Sequence, residues 1–193
     1  MREKENVCKS ILIVSAVEQF DYLVKKSLVG FLTIDVVRSV ALARRHILEK
    51  DYDIVALNMP LADEPGTEFA IDVSEQRSAS VLIVSPHEIY ADVMDMVTDH
   101  GVMVVSSPCP PMVMDKAIRL LVAMQGRIKA LQKKIRTAEE KMEELRIVSK
   151  AKIILVEKKH LSEEEAHKYI GKQAMNHGVS RKRIAETILD DLT

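Results

Sequence analysis

Residues 148–193 carry nine basic side chains: Lys150, Lys152, Lys158, Lys159, Lys168, Lys172, Arg181, Lys182 and Arg183. They gather near the ends of expected helices, where ammonium and guanidinium groups can hold the phosphates of a nucleic acid. His167 and Tyr169 stand among them, and flat rings of this kind stack on the splayed bases of single-stranded loops. Seven acidic residues share the segment, so a merely solvated basic face is the competing account. Tyr169 directly precedes Ile170 and fits a small core as well as it fits a base.

No other group of residues points to chemistry. A Ser-His-Asp set, a pair of facing carboxylates and a glycine-rich phosphate loop are all missing from the sequence, so neither catalysis nor a cofactor is expected. His160 and His167 are seven residues apart with His177 beyond, but no cysteine or tight carboxylate cluster completes a zinc site. Cys8 and Cys109 are isolated and read as reduced thiols of a cytoplasmic protein. The charged start, MREKENVCKS, runs straight into a strand and does not read as a secretory signal. No apolar run approaches the roughly 18 residues that cross a bilayer.

The elements that must position these residues follow from patterning. The formal net charge of −1 conceals an acidic front, with 10 Lys and Arg against 17 Asp and Glu in residues 1–112. The remainder is basic, with 18 against 12, which points to two functions on one chain. In the front part, SILIVSA (10–16), TIDVVRS (33–39), DIVALNM (53–59), SVLIVSP (80–86) and GVMVVSS (101–107) are short Val/Ile-rich runs without polar alternation. Runs of that kind are buried strands of a parallel sheet. Helical patterns lie between them at 17–30, 39–50, 66–77 and 88–100, so residues 1–112 are expected to form a doubly wound α/β domain. The ten methionines are expected as gap fillers of cores and seams.

PCPP (108–111) closes that domain, because proline opens a helix but does not continue one. From Met112 to about Lys159 only Gly126 interrupts a helical pattern. Leu121, Met124, Ile128, Leu131, Ile135, Ala138, Met142 and Leu145 fall at spacings of three and four, the seam of a coiled coil. The earliest turns also suit the last helix of the α/β domain. Residues 113–147 therefore read as that helix continuing into a dimerisation helix. Beyond Gln125 every face except the narrow seam is polar, which favours a parallel dimer over a solvated linker. Six or seven buried apolar side chains per strand, at roughly 1.5–3 kcal/mol each, exceed an association cost of about 4–15 kcal/mol. Lys134 and Glu139 would attract across the dimer, whereas Lys141 and Arg146 would repel. The seam then stops, its next two positions being Ser149 and Lys152, and apolar residues reappear in a different phase at Ile147, Val148, Ala151, Ile154 and Leu155, so the helix is expected to change partner there.

Residues 148–193 read as a three-helix unit, its first helix the end of the long one. Ser162 caps the second, with Glu165 completing a capping box, and the helix stops near Gly178. Ser180 caps the third, which is apolar at Ile184, Ala185, Ile188 and Leu189.

The front domain resembles a response-regulator receiver. That resemblance implies the sheet order of the family and a phosphorylation site at the strand ends: two acids after the first strand, an aspartate ending the third, a hydroxyl ending the fourth, and a lysine before a proline after the fifth. Ser15 and Ala16 occupy the acid-pair positions, Ser85 keeps the hydroxyl, and Ser107 replaces the lysine. Ala56 stands at the acceptor position counted back from Pro60, or Asn58 if the turn is shortened by two. Neither offers a carboxylate nucleophile, and Ser15-Ala16 cannot hold a hard divalent cation, so a pseudo-receiver that takes no phosphate is expected.

The run from Ala151 to Leu189 is similar to an ANTAR domain, the RNA-binding module of transcription antitermination regulators. Ala151-Lys152, Ile154-Leu155, Glu157-Lys158, Leu161 to Ala166, Lys172 to Met175 and Ile184-Ala185 carry the resemblance. Ile153 stands where the family usually has glycine, and Gly171 where a basic residue is common. The resemblance implies a homodimer that grips two hairpin loops of a leader RNA and so prevents a terminator from forming. Lys152, Lys158, Lys159, Lys172, Gln173 and Arg181 are then the expected RNA contacts, and Ala151 and Ala166 allow close helix approach. Because the front domain cannot take phosphate, control would come from a regulatory partner protein on the pseudo-receiver, or from abundance. A protein-protein adaptor without nucleic-acid binding, or a duplex DNA binder, are the alternatives.

Overall fold

The computed structural model describes residues 10–28, 30–77 and 79–192, and Cys8 lies outside them. Contacts divide the chain into two compact units, Met1–Ala130 and Leu131–Thr193.

In the first unit the five apolar runs become β1 (Ser10–Val14), β2 (Thr33–Val37), β3 (Ile54–Asn58), β4 (Ser80–Pro86) and β5 (Met103–Ser107). All pair in parallel, in the order β2-β1-β3-β4-β5. Helices α1 (Glu18–Ser27), α2 (Val40–Glu49), α3 (Thr67–Gln76) and α4 (Tyr90–Val97) make the crossovers, and α5 (Pro111–Lys159) follows β5.

Because successive strand residues face opposite sides, each strand feeds two cores. Leu12, Val14, Val55 and Leu57 pack with Val40, Phe69, Val73, Val93 and Val97 of α2 to α4. Ile11, Ile13, Ile54 and Ala56 pack with Phe20 and Val24 of α1 and with Met114, Ile118 and Leu121 of α5. Continuous apolar strands are what a sheet covered on both faces requires.

Helix boundaries were less legible than strands. The segment expected at 17–30 stops at Ser27, short of Gly30. The segment at 88–100 is a 3-10 turn, His87–Ile89, then α4, then a second 3-10 turn, Thr98–His100, closed by Gly101 at φ 76°. Gly66 enters α3 at φ 84°, and a Cβ there would meet Leu57 Cδ2 at 3.0 Å, so both conformation and space demand glycine.

The first turns of α5 are fixed to the sheet by polar as well as apolar groups. Ser80 Oγ donates to Gln125 Oε1 at 2.9 Å, both residues being buried, and Lys129 pairs with the largely buried Asp53. Leu121 is 2% exposed in the sheet core. It is therefore not free to line a dimer seam, because its side chain already fills the space between α5 and the sheet. Met124, Ile128, Leu131, Ile135, Ala138, Met142 and Leu145 do present exposed side chains.

The second unit holds the end of α5, then α6 (Glu163–His177) and α7 (Arg181–Leu192). Ser162 and Glu165 form the reciprocal capping box at α6, and Gly178 ends it at φ 63°. Ser180 Oγ accepts from Arg183 N at 3.2 Å at the start of α7. The core is Val148, Ala151, Leu155, Ala166, Ile170, Ala185 and Ile188. Ala151 and Ala166 are wholly buried; a methyl at each position lets the helix backbones approach. Among the described residues no helix is long and apolar enough to cross a membrane.

Candidate nucleic-acid interface

The basic side chains of the second unit are not equally available. Lys152 Nζ lies 2.7 Å from Glu163 Oε1, and its side chain is only 20% exposed. The lysine beside it holds the Glu163 carboxyl below the usual carboxylate range. Lys168 pairs with Glu164 at 2.6 Å, while Lys182 and Arg183 both flank Glu186. Lys158, Lys159, Lys172 and Arg181 are exposed, and Gln173 is half-buried.

One of the expected contacts meets an aromatic ring, and two more stand one helical turn from that ring. Lys159 Nζ sits 5.1 Å from the centroid of Tyr169, within the range of a cation–π contact. One helical turn beyond Tyr169 on α6 stand Lys172 and Gln173, neighbours of the ring by i,i+3 and i,i+4 spacing. Tyr169 is half-buried against the small core, so it serves core and surface together. The Arg181 guanidinium approaches Gly171 closely, with Nη2 3.9 Å from where a Cβ would stand. A Cβ at 171 would meet that guanidinium at an ordinary contact distance, so Arg181 of α7 stands directly beside this position. Lys152 stands apart from this strip in its contact with Glu163.

In the first unit, the carboxyl ends of the strands carry hydroxyls and an amide. Ser15 is fully buried, its Oγ accepting from Val17 N at 3.0 Å and from Asn58 Nδ2 at 3.4 Å. The Ser85 hydroxyl donates to Pro86 O at 3.2 Å. Ser106 Oγ meets His87 Nδ1 at 3.2 Å, next to Ser107. Ala16 is exposed beside Ser15.

Ala56, by contrast, is fully buried in the core and pairs with Ile13 and Leu82 in mid-sheet. The strand continues to Asn58 before it turns, so the residue facing Ser15 is Asn58 and not Ala56. Of the two positions expected from the sequence, Asn58 is the one whose side chain reaches Ser15.

Two nearby carboxylates, Asp63 and Asp21, are engaged elsewhere. Asp63 accepts from Ala41 N at 2.9 Å and Val40 N at 3.2 Å, capping α2, and these donors hold its carboxyl below the usual range. Asp21 is nearly buried and takes Arg38 Nη1 at 2.6 Å, the same nitrogen that donates to Ser15 O.

Comparison with known proteins agrees with both halves. The ANTAR domain family matches residues 136–189. The transcriptional regulatory protein PdtaR of Mycobacterium tuberculosis is 29% identical over 155 residues, which cover 80% of this chain and 73% of that protein. The signal receiver domain of an HD domain-containing protein from Pseudomonas fluorescens Pf-5 superposes with a TM-score of 0.56 at 16% identity, covering 64% of this chain and 93% of the other. A structure described as adenylate cyclase from Rhodopirellula baltica gives a TM-score of 0.57 at 16% identity over 65% of this chain and 96% of that one. At that identity the likeness establishes the fold alone. The receiver fold of the first unit and the ANTAR match within the second together support an ANTAR-domain response regulator.

Proposed function

We propose that this protein is a non-enzymatic, cytoplasmic transcription regulator that binds RNA as a homodimer and acts by antitermination, with a receiver domain that takes no phosphate. The observation that carries the RNA reading is the strip formed by Lys159, Tyr169, Lys172 and Gln173, with Arg181 contributed by α7 beside Gly171. A ring bracketed by cations suits an unpaired base flanked by phosphates, the arrangement a hairpin loop offers. The ANTAR match and the name of the mycobacterial relative support regulation of transcription as the wider role.

The exposed stripe Leu131, Ile135, Met142 and Leu145 on α5 supports the dimer. Two RNA sites joined in this way gain affinity through effective concentration, so a leader with two hairpins would be held where a single hairpin is released. Formation of the paired hairpins would then withhold their sequence from a terminator.

The receiver reading rests on Asn58, Ser15 and Ala16, which offer neither a carboxylate nucleophile nor anionic ligands for a divalent cation. Control therefore falls to a partner protein on the front domain or to the amount of protein made.

The test is a gel shift of the full chain on a two-hairpin leader, on one hairpin and on duplex DNA, across a salt series. Tight, salt-sensitive binding to the two-hairpin RNA alone is expected. Equal binding to all three would overturn the reading, and binding to none would favour an adaptor role.

A further inference from the structure

We propose that the dimer seam does not stop at Leu145 but steps by four residues and continues into the ANTAR domain, where Ile153 and Val156 of two copies pack against each other. The inference rests on the dimer reading above and extends it to a surface of the RNA-binding unit itself.

The stripe Leu131, Ile135, Ala138, Met142, Leu145 alternates steps of four and three. Strict continuation brings up Ser149 and Lys152, neither of which can fill a seam. The next exposed apolar side chains on α5 are Ile153, at 56%, and Val156, at 38%. They are reached from Leu145 through Ser149 by steps of four, four and three.

An α-helix has 3.6 residues per turn, so eighteen residues close about five whole turns. Ile153 therefore lies under Ile135, and Val156 under Ala138, along one line of the helix. Fourteen residues fall short of four whole turns by about 40°, so Ser149 and Lys152 drift off that line. An inserted step of four is the known way for a coiled coil to recover its seam.

Side chains flanking the step have the charge a second copy needs. With Ile153 and Val156 as the inward pair, Lys152 precedes the seam and Glu157 follows it, five residues apart. In a parallel dimer this is an attractive pair between copies, formed twice by symmetry. Lys141 and Arg146 flank the preceding turns and repel, so the step replaces an unfavourable flank by a favourable one. Lys152 also holds Glu163 of its own chain, which would place its ammonium between two carboxylates.

Ser149, Lys152, Ile153, Val156, Glu157 and Glu163 line one open groove. Its floor is apolar and its rim carries two glutamates, which repel an RNA backbone but accept an apolar helix with a lysine at its edge. This assigns Lys152 to the dimer rather than to RNA. It also gives a role to the isoleucine at 153, where the family usually has glycine: glycine would leave the groove without its central knob.

The experiment uses the full chain with Cys8 and Cys109 replaced by alanine, carrying Ile135→Cys, Ile153→Cys or Glu140→Cys. Oxidation should link Ile135→Cys and Ile153→Cys into dimers and leave Glu140→Cys, exposed on the face opposite the seam, as monomer. Linking at 135 without linking at 153 overturns this inference and leaves the dimer intact. Failure at both positions overturns the dimer reading as well. Independently, Ile153→Glu should raise the dimer dissociation constant by about tenfold or more in sedimentation equilibrium, with unchanged helicity by circular dichroism. An unchanged dissociation constant with weakened RNA binding would instead make the groove part of the nucleic-acid surface and sink the proposal.

Discussion

Asn58 donates its carboxamide N–H to the Ser15 hydroxyl at 3.4 Å across the carboxyl ends of β3 and β1. Two uncharged side chains thus meet at strand ends where the receiver resemblance implies carboxylates, and the Ser15 hydroxyl is engaged by the Val17 backbone N–H. Asn58→Asp alone should leave the protein unlabelled by acetyl phosphate with Mg²⁺ in mass spectrometry, because Ser15 and Ala16 still cannot bind the cation. Labelling should require Ser15→Asp and Ala16→Asp as well. Ala56→Asp is expected to behave differently: it would bury a carboxylate among Ile13, Ile54 and Leu82 and destabilise the domain by about 3 kcal/mol or more in urea unfolding.

The seam predicts a graded loss of association. Ile135→Asp should weaken the dimer by about tenfold or more in sedimentation equilibrium, since an exposed apolar side chain at 58% has no folded-state role in one copy to lose. Leu121→Asp should instead unfold the first unit, because that side chain is sheet core. The melting curve separates the two outcomes.

RNA affinity should fall with each exposed cation removed. Lys159→Ala, Lys172→Ala and Arg181→Ala should each lower affinity and reduce the salt slope by about one phosphate contact. Lys152→Ala should leave that slope unchanged, since its ammonium already holds Glu163. Tyr169→Leu keeps the core packing but removes stacking and the contact with Lys159. It should cost about 1–3 kcal/mol of binding.

The capping box gives a pH prediction. Glu165 accepts from Ser162 N at 2.8 Å, and that backbone donor, followed by the Ser162 hydroxyl, holds its carboxyl below the ordinary 4.5. A depressed folded-state value means the stabilisation is present above pH 4.5 and is lost as pH falls through the lower value. Ser162→Ala should therefore lower the melting temperature at neutral pH, by an amount corresponding to about 0.5–2 kcal/mol. The gap from wild type should narrow in acid without closing, because the Ser162 hydroxyl still accepts from Glu165 N.

Much of this molecule was written in local pattern. Five Val/Ile runs between amphipathic stretches determine a parallel sheet covered on both faces, because no other arrangement buries both sides of every strand. Ser162, Glu165, Gly178 and Ser180 mark the ends of α6 and the start of α7, since capping uses only neighbouring residues. The missing acids after β1 were legible for the same reason.

Tertiary structure decided whatever depends on residues distant in sequence. Asn58 rather than Ala56 faces Ser15 because β3 runs on for two residues beside β1. Gln125 and Lys129 look like solvated positions on a polar helix, yet Ser80 and Asp53 hold them against the sheet, and Leu121 belongs to the core for the same reason. Lys152 reads as a free cation until Glu163, eleven residues away, closes on it. Periodicity states which face of a helix is apolar; only the packed neighbours determine whether that face is already covered.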